Sequence, residues 1–234
     1  MEHKKKVLHC AKISKAKFRQ ILRLFVLDLT AKQITAVVGL NRNTINRYLT
    51  IIRTVIANEC EKQELFNGEV EVDESYFGSR YRKKKESQKR ERGRGTNKTK
   101  VFGICKRNGK VYTNIVPNCK AKTLQQVICR KVSRDSTIFS DEWKGYDGLV
   151  ALGYKSHFRI NHSTKLARKE RGCNVHINGI EGFWGIAKSR LLKFKGMHSS
   201  TFYLHLKETE FRFNNRDKNI YKILLSLFKK YNVC

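Results

Sequence analysis

Residues 80–100, RYRKKKESQKRERGRGTNKTK, contain eleven Lys or Arg and two Glu. Self-repulsion and the shortage of apolar side chains keep such a stretch out of any core, which predicts a solvated loop inserted into the folded chain. Its density of positive charge suits the tracking of a phosphate backbone, with Lys83, Lys84, Lys85, Arg92 and Arg94 as the contacting residues. The KKK run also matches a nuclear-localisation pattern, but that pattern is unspecific. The bias extends to the whole sequence: 50 Lys and Arg face 20 Asp and Glu over 234 residues, a formal net charge of +30. That excess suits a polyanionic partner and disfavours an enzyme of cationic or neutral metabolites. A wholly disordered basic chain is excluded by 13 Phe, 9 Tyr and 2 Trp, and the length accommodates one substantial domain plus a smaller one.

No run approaches the roughly 18 apolar residues of a spanning helix. Lys12, Lys15 and Lys17 interrupt any apolar signal region near the start. The seven cysteines are scattered and form no C-x-x-C, so neither a zinc ribbon nor a redox motif is indicated, and a reducing compartment, cytoplasm or nucleus, is expected.

Residues 14–60 carry helical periodicity. KFRQILRLFVLDL puts Phe18, Ile21, Leu22, Leu24, Phe25 and Leu27 on one broad apolar face. Thr30 is placed to cap a helix over Ala31–Val38, Gly39 to end it, and Asn41 or Asn43 to start a second helix reaching about Asn58. This is helix-turn-helix spacing, with Ile34, Val38, Leu40, Ile45 and Tyr48 inside. Arg42, Asn43, Thr44, Asn46 and Arg47 are then left on the outside of the second helix, side chains that bond phosphates and base edges. An ordinary helical hairpin with a polar surface is the alternative. The domain division expected is a head over 1–64, a catalytic domain over 65–216 with the basic insertion, and a C-terminal helix over 217–234.

From Gly68 the pattern changes to strands. GEVEVDESYFG alternates and reads as a strand ending near Asp73. Two further strands flank Asn108-Gly109, a helix follows over AKTLQQVICRKVS, and a short strand Thr137–Phe139 runs into Asp141 and another helix. After KSHFRINHS, a strand, comes a long helix from Ile177 to Phe194 that carries Glu181. Asp73, Asp141 and Glu181 can thus converge at one edge of a mixed sheet. Hard divalent ions such as Mg²⁺ take carboxylate oxygens, and two ions about 4 Å apart serve phosphoryl transfer. Each acid also has a structural use: Glu181 as a charge in the first turn of a helix, Asp141 as an N-cap, and Asp73 as one of four neighbouring acids.

The segments GEVEVDESYFG, RGRG, VFGICKRNGKVYT, SDEWKGYD, HFRINHS, HINGIEGFWGIAKSRLLKFKG and ETEFRFNNR, in this order, resemble the DDE transposases of the Merlin superfamily and related bacterial insertion sequences, with their ISXO-like DDE domain. The similarity runs from Asn67 to Arg216. It implies an α/β, ribonuclease-H-like fold preceded by a small all-α head. It also implies Asp73, Asp141 and Glu181 as metal ligands for Mg²⁺ or Mn²⁺, two ions to a site. The family motif continues with a Lys seven residues after the Glu, here Lys188. Seven residues are nearly two helical turns, so acid and cation share a face. Asn178 is the second choice for the third catalytic residue. Some relatives carry a zinc-binding Cys cluster near the N-terminus; only Cys10 and Cys60 stand here, so zinc is not carried over.

The activity implied is binding of terminal inverted repeats in double-stranded DNA, cleavage, and transfer of the freed 3′-OH to target DNA by a homodimer or larger assembly. A non-catalytic repressor derived from such an enzyme and a nuclease without strand transfer are the rivals. His162 and His176 read as structural or phosphate-contacting residues, with general base the alternative. Trp184 and Trp143 read as packing residues, with base stacking the alternative for each.

Overall fold

The computed structural model describes residues 13–78, 98–160, 168–170, 173–194 and 197–230. Lys83, Lys84, Lys85, Arg92, Arg94 and His162 therefore lie outside the described residues. The chain divides into two compact units, one of Met1–Gln63 with Arg190–Cys234 and the other of Glu64–Ser189.

The first unit contains helices α1 (Lys15–Val26), α2 (Ala31–Val38) and α3 (Arg42–Glu61), joined by α6 (Ser199–Asn214) and α7 (Ile220–Lys230). The expected local signals operate. The Thr30 side chain accepts from the Gln33 backbone N–H, Gln33 reciprocates, and Gly39 closes α2 in the left-handed region at φ +70°. Asn41 caps α3, which runs on to Glu61. Ile34, Val38, Ile45 and Tyr48 are buried with Phe18, Ile21, Leu22 and Phe25, and Leu224, Leu227 and Phe228 of α7 complete the same core. Leu40 is only half-buried against it, and Leu27, expected inside, is exposed because α1 ends one residue earlier.

Helix α6 changes the expected domain division. A catalytic domain over 65–216 and a separate helix over 217–234 were the reading of the sequence; instead α6 and α7 both cluster with α1–α3. The physical reason is a buried ionic seam. Glu208 accepts from Arg53 Nε of α3 at 2.8 Å and from Arg212 Nε at 2.9 Å, and Arg190 also reaches it. Lys207, wholly buried, lies 2.8 Å from Glu61 and 3.1 Å from Glu210. Arg190 and Lys193 both pair with Asp28. Charges this deep persist only when paired, so each half of the seam needs the other.

Acid is expected to loosen this unit. Burial, with the charge of Arg53, drives the His205 pKa down to about 4. Burial works against the carboxylates of Asp28 and Glu208, but Arg190 and the neighbouring cations outweigh it and hold both below their ordinary values. A base with a lowered folded pKa, like an acid with one, makes the unfolded chain the better proton binder. Stability therefore falls as pH drops below about 6.5. Hydrogen exchange of the α6 amides at pH 7 and pH 5, corrected for intrinsic rates, measures this; equal protection at both would exclude it.

The second unit is built on a five-stranded sheet in the order β3-β2-β1-β4-β5. Strands β1 (Glu69–Phe77), β2 (Thr99–Lys106) and β3 (Val111–Val116) are antiparallel neighbours, whereas β4 (Thr137–Asp141) and β5 (Ser156–Ile160) run parallel to β1. The β2–β3 hairpin turns at Asn108, with φ +53°, as the Asn-Gly pair predicts. Helix α4 (Ala121–Lys131) packs Leu124, Val127 and Ile128 with Val70, Val72, Phe102 and Ile104 from one face of the sheet. Helix α5 (Asn178–Leu191) meets the other face through contacts given below. The expected mixed α/β sheet with flanking helices is thus present.

Three local expectations are corrected. Strand β1 does not end near Asp73 but continues to Phe77, because β2 offers partners all the way to the pair Phe77↔Thr99. After Asp141 there is no helix, only a 3₁₀ turn over Lys144–Tyr146. Two glycines in KGYDG, one of them at φ +80° (Gly148), oppose a longer helix. A small hairpin of β6 (Arg168–Glu170) and β7 (Cys173–Val175), absent from the sequence reading, precedes α5.

Candidate functional site

Strand β1 supplies four acids, and alternation sorts them. Val70 and Val72 face α4, so Glu74 lies on that side, where the buried Tyr146 hydroxyl donates to it at 2.5 Å. Glu71 and Asp73 face α5. Opposite them on β2 are Cys105 and Gly103. Gly103 is required by close approach: a Cβ there would come 2.5 Å from the Trp184 ring. Seated on that glycine, Trp184 donates its indole N–H to Asp73 Oδ2 at 3.0 Å. Packing is therefore the role of Trp184, with the hydrogen bond in addition.

Asp141 ends β4, and the register places it beside Asp73. The parallel pair Glu71↔Phe139 lies two residues before each aspartate, so both carboxylates emerge on one face of adjacent strands. Their proximity has an electrostatic signature. Burial, reinforced by the charges of Glu74 and Asp141, pushes the Asp73 pKa up to about 8. Asp141 Oδ1 also accepts the Trp143 backbone N–H at 3.0 Å, so the capping use expected for it holds the turn that follows.

Glu181 is exposed on α5, between Ile180, which is buried, and Trp184. Lys188 and Asn178 are exposed on the same helix. The structure thus brings Asp73 and Asp141 together, while Glu181 is not drawn into one donor group with them. Among the described residues, no group of three or more His, Cys, Asp or Glu side chains could hold a metal ion. In the first unit Arg42, Asn43, Asn46 and Arg47 are exposed along the start of α3, and Thr44 is half-buried.

Sequence reasoning missed Glu71. It treated the β1 acids as interchangeable, yet Glu71 is only 1% exposed. Its Oε2 accepts the Ile180 N–H of α5 at 2.9 Å, and Oε1 pairs with Arg107 Nε at 3.2 Å. The available signal was parity: Glu71 and Asp73 share a face, and a central strand buries both faces.

Residues 65–214 match the family model described as the ISXO2-like transposase domain. The chain belongs to this transposase family. It is 46% identical over 121 residues to an uncharacterized transposase-like protein of Haemophilus influenzae, covering 51% of this chain and 94% of that protein. Among solved structures, the Mos1 strand transfer complex aligns over 95% of this chain and 80% of its own, with 14% identity and a TM-score of 0.31. A pre-cleavage Mos1 transpososome gives 12% identity, 95% and 81% coverage, and a TM-score of 0.29. The family domain ends at Asn214, the last residue of α6. By sequence α6 belongs to the transposase domain, and by contacts it belongs with the helical unit. No helix among the described residues is long and apolar enough to cross a membrane.

Proposed function

We propose that this transposase cuts the ends of its own mobile element and joins them to target DNA, using Asp73, Asp141 and Glu181 in a ribonuclease-H-like domain. The observation that carries the reading is the paired aspartates. Two carboxylates on adjacent strands, one with its pKa raised to about 8 by burial and its acidic neighbours, cost stability in a protein with cations to spare. A divalent cation relieves that repulsion, and an all-oxygen donor set fits Mg²⁺ or Mn²⁺. Asp73 and Asp141 would hold it, with Glu181 contributed from α5, and Asn178 is the alternative third residue. When bound, such ions stabilise charge on the attacking and leaving oxygens of a phosphoryl transfer. Lys188, two turns after Glu181, meets the phosphate of the terminal DNA.

The α2–α3 pair acts as the end-reading helix-turn-helix. Arg42, Asn43, Asn46 and Arg47 contact DNA from α3, with Thr44 beside them, and Lys83, Lys84, Lys85, Arg92 and Arg94 add phosphate contacts. Two ends cut in concert call for a homodimer or larger assembly on DNA, wherever in the host that DNA resides.

The test is a joining assay. A pre-cut duplex with a 3′-OH, carrying an inverted repeat from the DNA flanking the gene, is incubated with a supercoiled plasmid and Mg²⁺ or Mn²⁺. Joined product is expected, with binding that weakens steeply as salt rises. Cleavage of uncut ends without joining would make the protein a nuclease, and binding without any nicking would make it a repressor.

A further inference from the structure

Glu71 is not one of the residues to which the family resemblance gives a role, yet it is the most elaborately held side chain beside the aspartate pair. One oxygen accepts the Ile180 N–H in the first turn of α5 at 2.9 Å. The other pairs with Arg107 Nε at 3.2 Å. His176 Nδ1 lies 3.3 Å from that same oxygen but is not aligned as a hydrogen bond. Arg107 is fixed in turn: its guanidinium donates to the His176 carbonyl at 2.9 Å, stacks 3.7 Å from the Phe139 ring centroid and lies 3.2 Å from Glu69. Gly179 completes the seat, since a Cβ there would come 2.8 Å from Glu71 Oε2.

These contacts tie the residues around Glu181 to β1. Ile180, immediately before Glu181, is held by Glu71; Trp184, one turn later, is held by Asp73. Helix α5 is therefore pinned to a single strand at two points, with the exposed Glu181 between them. A buried carboxylate whose partners must also be desolvated adds little net stability, and in some proteins such groups serve instead to specify geometry. Outer partners of metal-binding side chains work in this way, setting orientation without touching the metal.

We propose that Glu71 is a positioning residue that sets the placement of Glu181 relative to Asp73 and Asp141. This rests on the reading of those three acids as the metal-holding site. Glu71 acts through α5 and touches neither substrate nor metal. Gly179 is its necessary counterpart on the helix.

Two variants approach the same contact from opposite sides. Glu71→Gln keeps the volume and an acceptor for Ile180 but loses the charge that holds Arg107. Gly179→Ala favours the helix but intrudes on Glu71. Mn²⁺ affinity of the full chain is measured from the electron paramagnetic resonance of free Mn²⁺, beside thermal unfolding and cleavage of a plasmid bearing the gene's flanking repeats. Each variant is expected to bind Mn²⁺ about 10–100-fold more weakly and to lose cleavage by a similar factor, while remaining folded and bound to DNA. A merely structural contact would lower the unfolding temperature and leave Mn²⁺ affinity of the folded protein unchanged. Wild-type Mn²⁺ affinity in both variants, with affinity lost in Asp141→Asn, would overturn the role of Glu71 alone. Wild-type affinity in Asp141→Asn as well would overturn the carboxylate site and the positioning role with it.

Discussion

Asp141→Asn is expected to abolish DNA cleavage while leaving end binding intact and the protein slightly more stable. Asparagine keeps the shape of the side chain and its carbonyl oxygen, so the Trp143 N–H retains its acceptor and the turn after β4 stays closed. What disappears is one negative charge. Burial and Glu74 still act on Asp73, but the contribution of Asp141 to its raised pKa is gone, and the Asp73 value should fall from about 8. Relief of that repulsion accounts for the gain in stability, a common trade at sites built for reaction. The lost carboxylate is expected to remove several kcal/mol of transition-state stabilisation, on the order of 10³-fold in cleavage rate. Cleavage and band-shift assays on the same end DNA measure the two properties separately. Unchanged cleavage would remove Asp141 from the site.

Glu208→Gln is expected to do the reverse, acting on the fold of the helical unit. Glu208 is 1% exposed and is the shared acceptor of Arg53, Arg190 and Arg212. Glutamine fills the space but takes away the carboxylate that Arg53 pairs with and leaves Arg190 and Arg212 to share Asp28, at a cost of about 3–5 kcal/mol by the precedent of broken buried pairs. That is a large share of the roughly 5–15 kcal/mol that holds a domain together. Urea unfolding should show a much lower midpoint, with the end binding proposed for α3 lost in parallel. An unfolding free energy within about 0.5 kcal/mol of wild type would mean that the seam is not what holds α6 to α3.

Much of this was legible beforehand because the determining signals are local. Thr30, Gly39 and Asn41 act within a turn of where they stand, so α2 and α3 were read nearly to the residue. The apolar period of α1 was equally plain; Leu27 escaped because the end of that helix decides its exposure. Asp73 and Asp141 were singled out by residue type and by family resemblance, and the sheet register places them side by side. The end of β1 was misread because strand length depends on a partner, and β2 returns only after the basic insertion. Glu71 and Glu208 were missed for a shared reason. A buried acid looks like a surface acid until the opposing side chains are known, and the partners of Glu208 include Arg53, 155 positions away.

The sequence by itself determined the excess of positive charge, the capped helix pair, most of the strand-and-helix order and the family to which the chain belongs. Those properties are written in charge, period and motif, each of which acts over a few residues or is carried by residue identity alone. Tertiary structure decided which of the four β1 acids faces Asp141, that Trp184 rests on Gly103 beside Asp73, and that α6 joins the head through Glu208. Those are matters of sheet parity and of burial against distant residues. In a chain with 30 positive charges in excess, the location of the few negative ones is settled by which cations fold against them.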